Sequence, residues 1–541
     1  MPARPKLVVI LVVDQMRADY AERYGHQWTK GLRRLLDQGA RFPLAAYPYF
    51  NTVTCPGHAT IGTGAFPATH GMILNAWWDR ALGRQLGCTE DLNAKPISYG
   101  APFTRADSGA PLLVPTLADE LRVQLGASTR VVSFSLKARS AIGMAGHRGD
   151  AVMWFEANPG AWITSSAFTA APVPFVQQFV QTNPVESDFG KPWTRLLPDA
   201  AYLFADDEPG EKPAAYWTRA FPHPLRGSSD KPDTTFYNAW RKSPYSDAYL
   251  GRMAQAAVDS WKLGQGSGTD FLGVSFSALD LVGHDFGPRS HEVQDVLARL
   301  DATIGALLDH LDRAVGRENY VVALTADHGV APIPEQAARD GLDAGRIVMD
   351  EIATRMDQAL APFLGEGRPA ARVRYTDVYF APGVYDKLRE NPAAMRAAID
   401  AALSVPGVLR VFRSEELAGR PATNDPLLRA ASLSYHPARS GDLILVPKPY
   451  WFFVPASRSV PPGDATTHGT AHAYDARVPV ILMGGGIQPG EYFSPASPAD
   501  IAPTLAFLCG VTLSNADGRV LAEALAPRKP PTAAAPKKSA R

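Results

Sequence analysis

Short, nearly continuous apolar runs recur along the chain, and several of them stop at an acidic residue. The runs KLVVILVVD, DFLGVSFSALD and NYVVALTAD end at Asp14, Asp280 and Asp327. The runs TRVVSFSLKAR (129–139) and VPVILMGGG (478–486) have a similar composition. Runs of Val, Ile and Leu without alternation are typical of strands buried on both faces of a parallel sheet. The pattern therefore predicts a buried strand at each run.

Between these runs, hydrophobic residues recur at helical spacing. Such segments span 28–39, 114–126, 291–314 and 500–510. Alternating strands and helices predict an α/β fold with a doubly wound, mostly parallel central sheet. Ligands of such folds bind beyond the carboxyl ends of the strands. The three aspartates that end apolar runs are therefore expected to converge at one edge of the sheet.

Two segments interrupt the alternation, so the predicted core is built from separate parts of the chain. Residues 156–240 are rich in Pro, Trp, Phe and Tyr and predict a loop-rich insertion. Residues 333–460 predict a smaller α+β lobe that caps the core. The tail 527–541 is rich in Pro, Ala and Lys, which predicts disorder. The predicted parts of the catalytic core are 1–155, 241–332 and 461–526.

The composition excludes several classes of function. Lys and Arg together number 54, as do Asp and Glu, so the formal net charge is zero. Nucleic-acid-binding proteins normally carry a basic excess, and we expect no binding of nucleic-acid duplexes. The cysteines Cys55, Cys88 and Cys509 are widely spaced and include no C-x-x-C pair. This spacing excludes a disulfide framework and a structural zinc finger, but it leaves one disulfide open.

The first apolar run, Leu7–Val13, follows basic residues as the core of a signal peptide would. It is short, however, it ends at Asp14, and no small-residue cleavage site follows it. We therefore predict a buried strand there, with no signal peptide visible. No apolar run approaches the roughly 18 residues that a membrane span requires, so we expect none.

Aspartates and histidines with the chemistry of metal ligands stand at the predicted strand ends or on a loop before a strand. They are Asp14, Asp280, His284, Asp327, His328, His468 and His472. Oxygen and nitrogen ligands without thiolates suit catalytic zinc. A single D-x-x-x-H pair is weak evidence. The order D, D-x-x-x-H, D-H-G and H-G along one chain is much stronger.

These elements resemble the two-metal site of the alkaline phosphatase superfamily. The segment TVTCPGHATIGTGAFPATHGMILN resembles the nucleophile segment of its threonine-dependent branch. That branch holds nucleotide pyrophosphatases and a group of monoester-hydrolysing alkaline phosphatases. The resemblance implies an alkaline phosphatase-like fold and two zinc ions per chain. The implied ligands are Asp14, Asp327 and His328 for one ion, and Asp280, His284 and His468 for the other, with Thr54 bound to zinc as the nucleophile. We favour His468 over His472 because the ligand of the family immediately precedes a glycine.

In the stretch FNTVTCPGHATIGTG (50–64), we predict Thr54 to be the nucleophile. Pro56 fits the first turn of a helix, which places Thr54 just before a helix N-terminus, where free N–H groups favour an anion. A thiolate at Cys55 beside zinc would bind the metal rather than turn over, and the C-x-P-S-R motif of sulfatases is absent. The remaining candidates, which fit packing or supporting roles, are Thr52, Thr60 and His58.

The expected class of substrate depends on three other residues, Asn75, Lys137 and Arg139, which follow Thr54 in the sequence. Asn75 lies where the family places an amide that donates to a phosphoryl oxygen. Lys137 and Arg139 would lie on one face if the strand predicted at 129–139 continues, and their K-x-R pattern resembles the monoesterase group. Two added cations favour the dianion of a monoester over a monoanionic diester, and Arg can grip two oxygens at once.

The sequence therefore predicts an alkaline phosphatase that hydrolyses small phosphate monoesters with broad specificity through a phosphothreonine intermediate. One alternative is a phosphodiesterase or nucleotide pyrophosphatase on the same scaffold. More remote ones are a phosphoglycerate-mutase-like enzyme and a non-catalytic metal- or phosphate-binding protein. We expect a monomer. Relatives are typically exported, so the resemblance implies a periplasmic or secreted protein.

Overall fold

The apolar runs form the middle of a ten-stranded sheet in the computed structural model of the protein, which describes residues 4–365, 371–455 and 463–526. The predicted α/β fold with a doubly wound central sheet is confirmed, because helices cover both faces of this sheet. Across the sheet, the strands follow the order Gly490–Glu491, Ala40–Arg41, Val480–Gly484, Tyr320–Thr325, Leu7–Val13, Asp270–Phe276, Val131–Ser135, Ala151–Glu156, Ala161–Ser165 and Pro96–Ser98.

The five strands at the centre of the sheet are parallel. Leu7–Val13 lies between Asp270–Phe276 and Tyr320–Thr325 and pairs with both. Val131–Ser135 and Ala151–Glu156 continue the parallel part on the side of Asp270–Phe276. The carboxyl ends of these strands therefore meet at one edge, as the sequence predicts.

Side chains of the central strand Leu7–Val13 alternate between two apolar cores, because successive residues of a strand point to opposite faces. The helices on one face are Gly31–Gln38, Pro244–Trp261 and His291–Ala314. Those on the other face are Thr54–Thr63, Leu117–Leu125, Ala138–Ala145 and Ile501–Cys509. Four of these helices confirm the ones predicted at 28–39, 114–126, 291–314 and 500–510. Burial of each Val, Leu or Ile side chain stabilises the fold by roughly 1.5–3 kcal/mol. Because its side chains are buried in both cores, the central strand is stabilised from both sides.

The apolar run at 478–486 forms a strand with a direction other than the one predicted. Val480–Gly484 is antiparallel to Tyr320–Thr325, although its composition is that of a strand in a parallel sheet. The chain approaches it from the loop that contains His468, which lies at the carboxyl edge of the parallel strands. A strand entered from that edge has to run in the opposite direction.

The strand predicted at 129–139 is shorter than expected, so the condition for Lys137 and Arg139 to share a strand face is not met. The strand ends at Ser135, and helix Ala138–Ala145 begins with Arg139 in its first turn. Lys137 precedes the helix with extended backbone. The two cations are therefore separated by the start of a helix and do not share a strand face.

Within the segment 333–460, a four-stranded antiparallel sheet packs against helices around an apolar core of its own. The strand order is Ala371–Arg374, Asp377–Phe380, Leu443–Pro447 and Val408–Arg413. The helices around this core are Met349–Leu364, Val384–Glu390 and Pro392–Leu403, whereas helix Pro426–Ser434 belongs to a separate apolar cluster. Beside this sheet, Gly345–Val348 pairs with Trp451–Val454. We call this unit the cap lobe.

The segment 156–240 contains both core and peripheral elements. Strand Ala161–Ser165 belongs to the central sheet, whereas Pro192–Trp193 and His223–Pro224 form a separate short pair. Helices Pro174–Thr182 and Thr234–Arg241 complete the segment. The domain boundaries given above stay predictions, and the tail 527–541 lies outside the described residues. Among the described residues, no helix is both long and apolar enough to cross a bilayer.

Candidate active site

Four neighbouring parallel strands deliver charged side chains to the same edge of the sheet. Asp14 directly follows strand Leu7–Val13, and Asp327 follows the strand beside it. Asp280 lies in the first turn of the helix after the third strand, and Lys137 follows the fourth. Residues far apart in the sequence therefore meet because their strands are adjacent.

The candidate metal ligands form two clusters. One consists of Asp280, His284 and His468, and the other of Asp14, Asp327 and His328. Within each cluster, one ligand atom from every residue lies within 4.8 Å of the others. These are the two sets that the resemblance implies. His472 lies elsewhere, with Nε2 3.4 Å from the carbonyl oxygen of Pro447.

The electrostatics of both clusters suit divalent cations. Burial, together with the nearby carboxylates of Asp280 and Asp327, raises the pKa of Asp14 to about 7. The buried Oδ1 of Asp14 accepts no hydrogen bond from any described residue. Burial also holds the pKa of His468 well below its usual value, so its imidazole is neutral and able to ligate a metal. Crowded carboxylates and neutral imidazoles are the donors that zinc prefers in catalytic sites.

Lys137 joins the two clusters. Its Nζ donates to Oδ2 of Asp14 at 2.6 Å and also to Oδ2 of Asp280. Although burial opposes ionisation of Asp280, Lys137 and His284 outweigh it and hold the pKa of this carboxyl well below the ordinary value. The lysine ammonium is thus placed at the centre of the site, between the two sets of ligands.

Thr54 is the first residue of helix Thr54–Thr63 and is buried at the junction of the clusters. Its Oγ1 lies 3.4 Å from Nε2 of His328. The helix packs closely against Asp327, because a Cβ on Gly57 would lie only 2.4 Å from the carbonyl oxygen of Asp327. The hydroxyl therefore projects from a rigid helix start directly onto the candidate ligands.

The other residues of the opening stretch have structural partners. Cys55 forms a disulfide with Cys88, which removes it as a nucleophile and settles the pairing that the sequence left open. His58 Nδ1 lies 2.9 Å from the carbonyl oxygen of Thr54 and 3.2 Å from Oδ2 of Asp327. His58 Nε2 lies 2.8 Å from Oγ of Ser275. His58 thus supports both the helix start and a candidate ligand.

Asn75 is held beside Thr54 by the same disulfide. Its side-chain Oδ1 accepts from the backbone N–H of Cys55 at 2.8 Å, and its carbonyl accepts from the N–H of Cys88. With Oδ1 engaged, the amide NH₂ is left to donate. Asn75 lines a cavity of about 440 Å³ together with Thr54 and Arg139.

Arg139 faces two adjoining cavities, the one beside Thr54 and a smaller one of about 160 Å³ that Lys137 also lines. Its buried Nε has no acceptor within the described part of the chain. An unpaired buried guanidinium N–H is costly unless a ligand accepts from it. Asn75 and Arg139 line both cavities, Thr54 lines the larger one and Lys137 the smaller one, so donor groups surround two adjoining spaces.

Gln15 is a supporting residue that the sequence analysis missed. It adopts left-handed backbone, with φ 70°, which is uncommon for a residue with a side chain. Its backbone N–H donates to Oδ1 of Asp327 at 3.1 Å, and its Nε2 donates to Oδ1 of Asp280 at 2.8 Å. Gly283 makes room for it, since a Cβ there would lie 1.8 Å from its Oε1. The only signal in the sequence was its position after Asp14.

Asp475 is a second missed residue. Its Oδ2 accepts from the backbone N–H groups of Gly469 and Thr470 at 3.1 and 3.0 Å, and its backbone carbonyl accepts from the N–H of Gly329. It thereby ties the loop of His468 to the segment that carries the second cluster.

We expect Gln15→Ala to weaken binding of a divalent metal ion, with zinc as the probe, about 10- to 100-fold, the usual cost of losing a group that orients a ligand. The change removes the donor to Asp280 but keeps the backbone bond to Asp327. Competition with a chromogenic chelator measures the affinity. Gln85→Ala is the control, because Gln85 lines the cavity but belongs to neither cluster. Unchanged zinc affinity in Gln15→Ala would contradict this role.

Comparison with known proteins places this geometry in a family. The profile of the family described as type I phosphodiesterase / nucleotide pyrophosphatase matches residues 8–475. Alkaline phosphatase PhoV of Synechococcus elongatus is 30% identical over 528 residues, covering 97% of this chain and 93% of the relative. Alkaline phosphatase PafA of Elizabethkingia meningoseptica is 31% identical over 525 residues, covering 96% of this chain and 95% of the relative.

The similarity extends to the three-dimensional structure. The crystal structure of wild-type alkaline phosphatase PafA superposes with a TM-score of 0.85 at 30% identity, covering 97% of this chain and all of that one. Both the sequence match and the structural match span the strands that supply the two clusters and Thr54. The chain therefore belongs to the type I phosphodiesterase / nucleotide pyrophosphatase family of the alkaline phosphatase superfamily.

Proposed function

We propose that the protein is an alkaline phosphatase, a two-zinc hydrolase of phosphate monoesters that acts through Thr54. The observation that carries the proposal is the convergence of both ligand clusters on Thr54, inside a cavity lined by donor groups of Asn75 and Arg139. Full-length similarity to two proteins named alkaline phosphatase supports it.

Two zinc ions would be held by the clusters already described, with Thr54 as an additional ligand. When bound, they would act as Lewis acids that lower the pKa of the threonine hydroxyl and stabilise negative charge on the leaving oxygen. Hydrogen bonds made by Gln15 and Asp475 hold the ligands in place. The carboxylates are thereby fixed, and the imidazole of His468 is neutral. This organisation before the reaction lowers the reorganisation needed during it.

Thr54 Oγ1 attacks phosphorus in line with the leaving alkoxide. The bond from Oγ1 to phosphorus forms as the bond to the leaving oxygen breaks, which gives phosphothreonine and an alcohol after protonation. Water then attacks the phosphothreonine from the vacated side and releases phosphate and free Thr54. Burial of Thr54 at a helix start fixes the direction of attack.

Asn75, Lys137 and Arg139 bind the non-bridging oxygens. The amide of Asn75 is oriented by its bond to Cys55, and Arg139 has an unused buried N–H. A monoester dianion has three such oxygens to satisfy, whereas a diester is a monoanion with a second organic group. The two cations therefore favour monoesters.

We expect the double variant Lys137→Ala/Arg139→Ala to lose about 10³-fold in kcat/KM for p-nitrophenyl phosphate, because each charged hydrogen bond contributes about 1.5–3 kcal/mol. The loss for bis-p-nitrophenyl phosphate should be far smaller, since a diester presents less charge. Initial rates with both esters on zinc-loaded protein make the comparison. Arg148→Ala provides a surface control for loss of one positive charge.

A phosphodiesterase is the competing function, which the family description favours by name. It predicts that the wild-type protein prefers the bis ester and that this preference survives the double substitution. That outcome would reject the monoesterase proposal while leaving the two-metal site intact.

We also propose that the protein works in an oxidising compartment, the periplasm or the exterior. The Cys55–Cys88 disulfide supports this, because such bonds persist mainly outside the cytosol. The bond lies beside the nucleophile and fixes Asn75, so its reduction should lower activity. Activity before and after treatment with a membrane-permeant reductant in cells tests the location.

A further inference from the structure

A hairpin of the cap lobe reaches into the cavity beside Thr54. Arg374 ends the strand Ala371–Arg374 and pairs with Asp377, which leaves Tyr375 and Thr376 as the turn. The cavity is lined by Met349, Arg374 and Tyr375 of the cap lobe. His284 and His468 line the same cavity. The cap lobe therefore contributes side chains to the space in which the substrate would lie.

The turn is fixed against the candidate active site by several contacts. Tyr375 adopts left-handed backbone with φ 57°, and its hydroxyl donates to the backbone carbonyl of His468. Its N–H lies 3.0 Å from Sδ of Met349. Thr376 Oγ1 lies 3.1 Å from Oδ1 of Asn51, close to the nucleophile segment. A non-glycine residue is retained in this conformation where surrounding contacts over-determine it, which is common at functional sites.

Arg374 is a cationic side chain that the described residues leave without a counter-ion. No carboxylate of the described residues forms an ion pair with it, and its buried Nε has no acceptor among them. One terminal nitrogen donates to the carbonyl of Val373 at 2.8 Å, and the guanidinium lies 5.9 Å from the ring centroid of Trp78. These contacts orient the group but leave donors unused on a wall of the cavity.

The cavity is larger than a phosphoryl group needs. Its volume is about 440 Å³. A phosphate group has five non-hydrogen atoms. If each takes about 30 Å³, the volume of one water molecule in the liquid, the group fills roughly 150 Å³. The remaining space has to hold the alcohol part of the ester, and Arg374 lies at its boundary.

We propose that Arg374 forms a subsite for a negatively charged group, a phosphate or a carboxylate, on the alcohol part of the substrate. The inference rests on the proposed function, and it names esters with an anionic leaving group as preferred substrates. A guanidinium binds either anion through two parallel N–H groups, which a neutral alcohol cannot accept in the same way. The cap lobe thereby sets specificity, whereas the core carries the chemistry.

Asp464 is the acidic group that also lines the cavity, and it opposes binding of an anion. Its Oδ2 lies 3.7 Å from Nδ1 of His284. The cavity is therefore lined by side chains of both charges, among them Arg374 and Asp464. We expect Arg374 to determine whether charged leaving groups bind better than neutral ones.

Binding to protein that cannot turn over tests the subsite without relying on activity. In zinc-loaded Thr54→Ala protein, calorimetry gives the dissociation constants of p-nitrophenyl phosphate, 4-carboxyphenyl phosphate and 1,4-phenylene bisphosphate. We expect the two charged ligands to bind more tightly than the nitrophenyl ester, and adding Arg374→Ala should reduce that preference by about 10-fold or more. The carboxylate and phosphate ligands show which anion the subsite favours.

Arg372→Ala is the matched control. Arg372 lies on the same strand, 4.5 Å from the Trp78 ring centroid, and does not line the cavity. Arg374→Lys should keep part of the preference. Equal weakening of all three ligands by Arg374→Ala, or the same change in Arg372→Ala, would overturn the inference. Hydrolysis of p-nitrophenyl phosphate by the wild-type protein tests the proposed function separately.

Discussion

The Thr54→Ala protein is expected to hydrolyse p-nitrophenyl phosphate about 10⁴- to 10⁶-fold more slowly than the wild type in kcat, the loss typical of removing an activated nucleophile. Of the described hydroxyls in the same stretch, neither Thr52 nor Thr60 is placed to replace it. Thr52 donates to the carbonyl of Thr470, and Thr60 lies 3.1 Å from Nε2 of His70. The loss should therefore be in the chemical step rather than in binding or folding.

Two variants separate the role of the hydroxyl from that of the helix. Thr54→Ser keeps a hydroxyl at the same place and should retain activity within about 10-fold, because the same oxygen can be activated. Thr60→Ala removes a different buried hydroxyl from the same helix and should leave the rate nearly unchanged. Zinc content by mass spectrometry has to stay constant across the series.

The covalent intermediate offers a direct measurement. Acid quenching of the wild-type protein during turnover should trap phosphate on the peptide that contains Thr54, and tandem mass spectrometry locates it. Thr54→Ala should give no phosphopeptide. Retention of more than about a tenth of the activity by Thr54→Ala with full zinc would exclude covalent catalysis by this residue.

The fold could be predicted because four of the five central parallel strands correspond to apolar runs in the sequence, whereas the fifth, Ala151–Glu156, was not predicted. The candidate ligands could be grouped because Asp14, Asp280 and Asp327 follow such runs, and the carboxyl ends of parallel strands coincide. Because the candidate residues are aspartates and histidines, their predicted chemistry is metal binding. Local patterns and one rule of topology placed the three aspartates at one edge of the sheet, whereas the division of the ligands into two sets came from the resemblance to the alkaline phosphatase superfamily.

The rest depends on contacts between distant parts of the chain. Lys137 and Arg139 were expected on one strand face, but a helix begins between them, and the apolar run gave no sign of that change. The partner of Cys55 could not be chosen from spacing, since either remaining cysteine was possible. The reach of Tyr375 to His468 depends on how the cap lobe packs, which local patterns do not encode.

Removal of metal is expected to abolish hydrolysis and to lower the melting temperature. Ligands that bind only the folded protein stabilise it by about 4 kcal/mol at 1,000 times their dissociation constant. Two zinc ions bound in this way correspond to a loss of roughly 5–10 °C on chelation for a chain of this size. Differential scanning calorimetry with and without EDTA measures the shift, and added zinc should reverse both effects.

The affinity for zinc is expected to rise with pH between about 6 and 9. Burial and neighbouring carboxylates raise the pKa of Asp14 to about 7. Burial alone would lower the pKa of His284, but Asp280 and Asp464 outweigh it and raise it to about 9. Zinc must displace the proton of Asp14 in one cluster and that of His284 in the other. Below the pKa of this ligand, the zinc affinity of each cluster therefore rises up to about 10-fold for each unit of increase in pH. A flat pH profile would contradict this account.

His468→Asn and His472→Asn form a matched pair that assigns the ligands. Both histidines belong to one loop, but only His468 lies within a cluster, stacked 3.4 Å from His328 between ring centroids. His468→Asn should lower zinc from two ions to about one per chain and reduce activity at least 10²-fold, as expected when one ligand of a catalytic metal is lost. His472→Asn should keep both ions and most of the activity. The reverse pattern would assign His472 in place of His468 to the cluster of Asp280 and His284, and equal zinc content in both variants would show that neither histidine is needed to hold the metal. Both variants lose the same imidazole, but His468 is the more buried of the two, so equal melting temperatures of the metal-free variants are required before the difference between them is assigned to coordination.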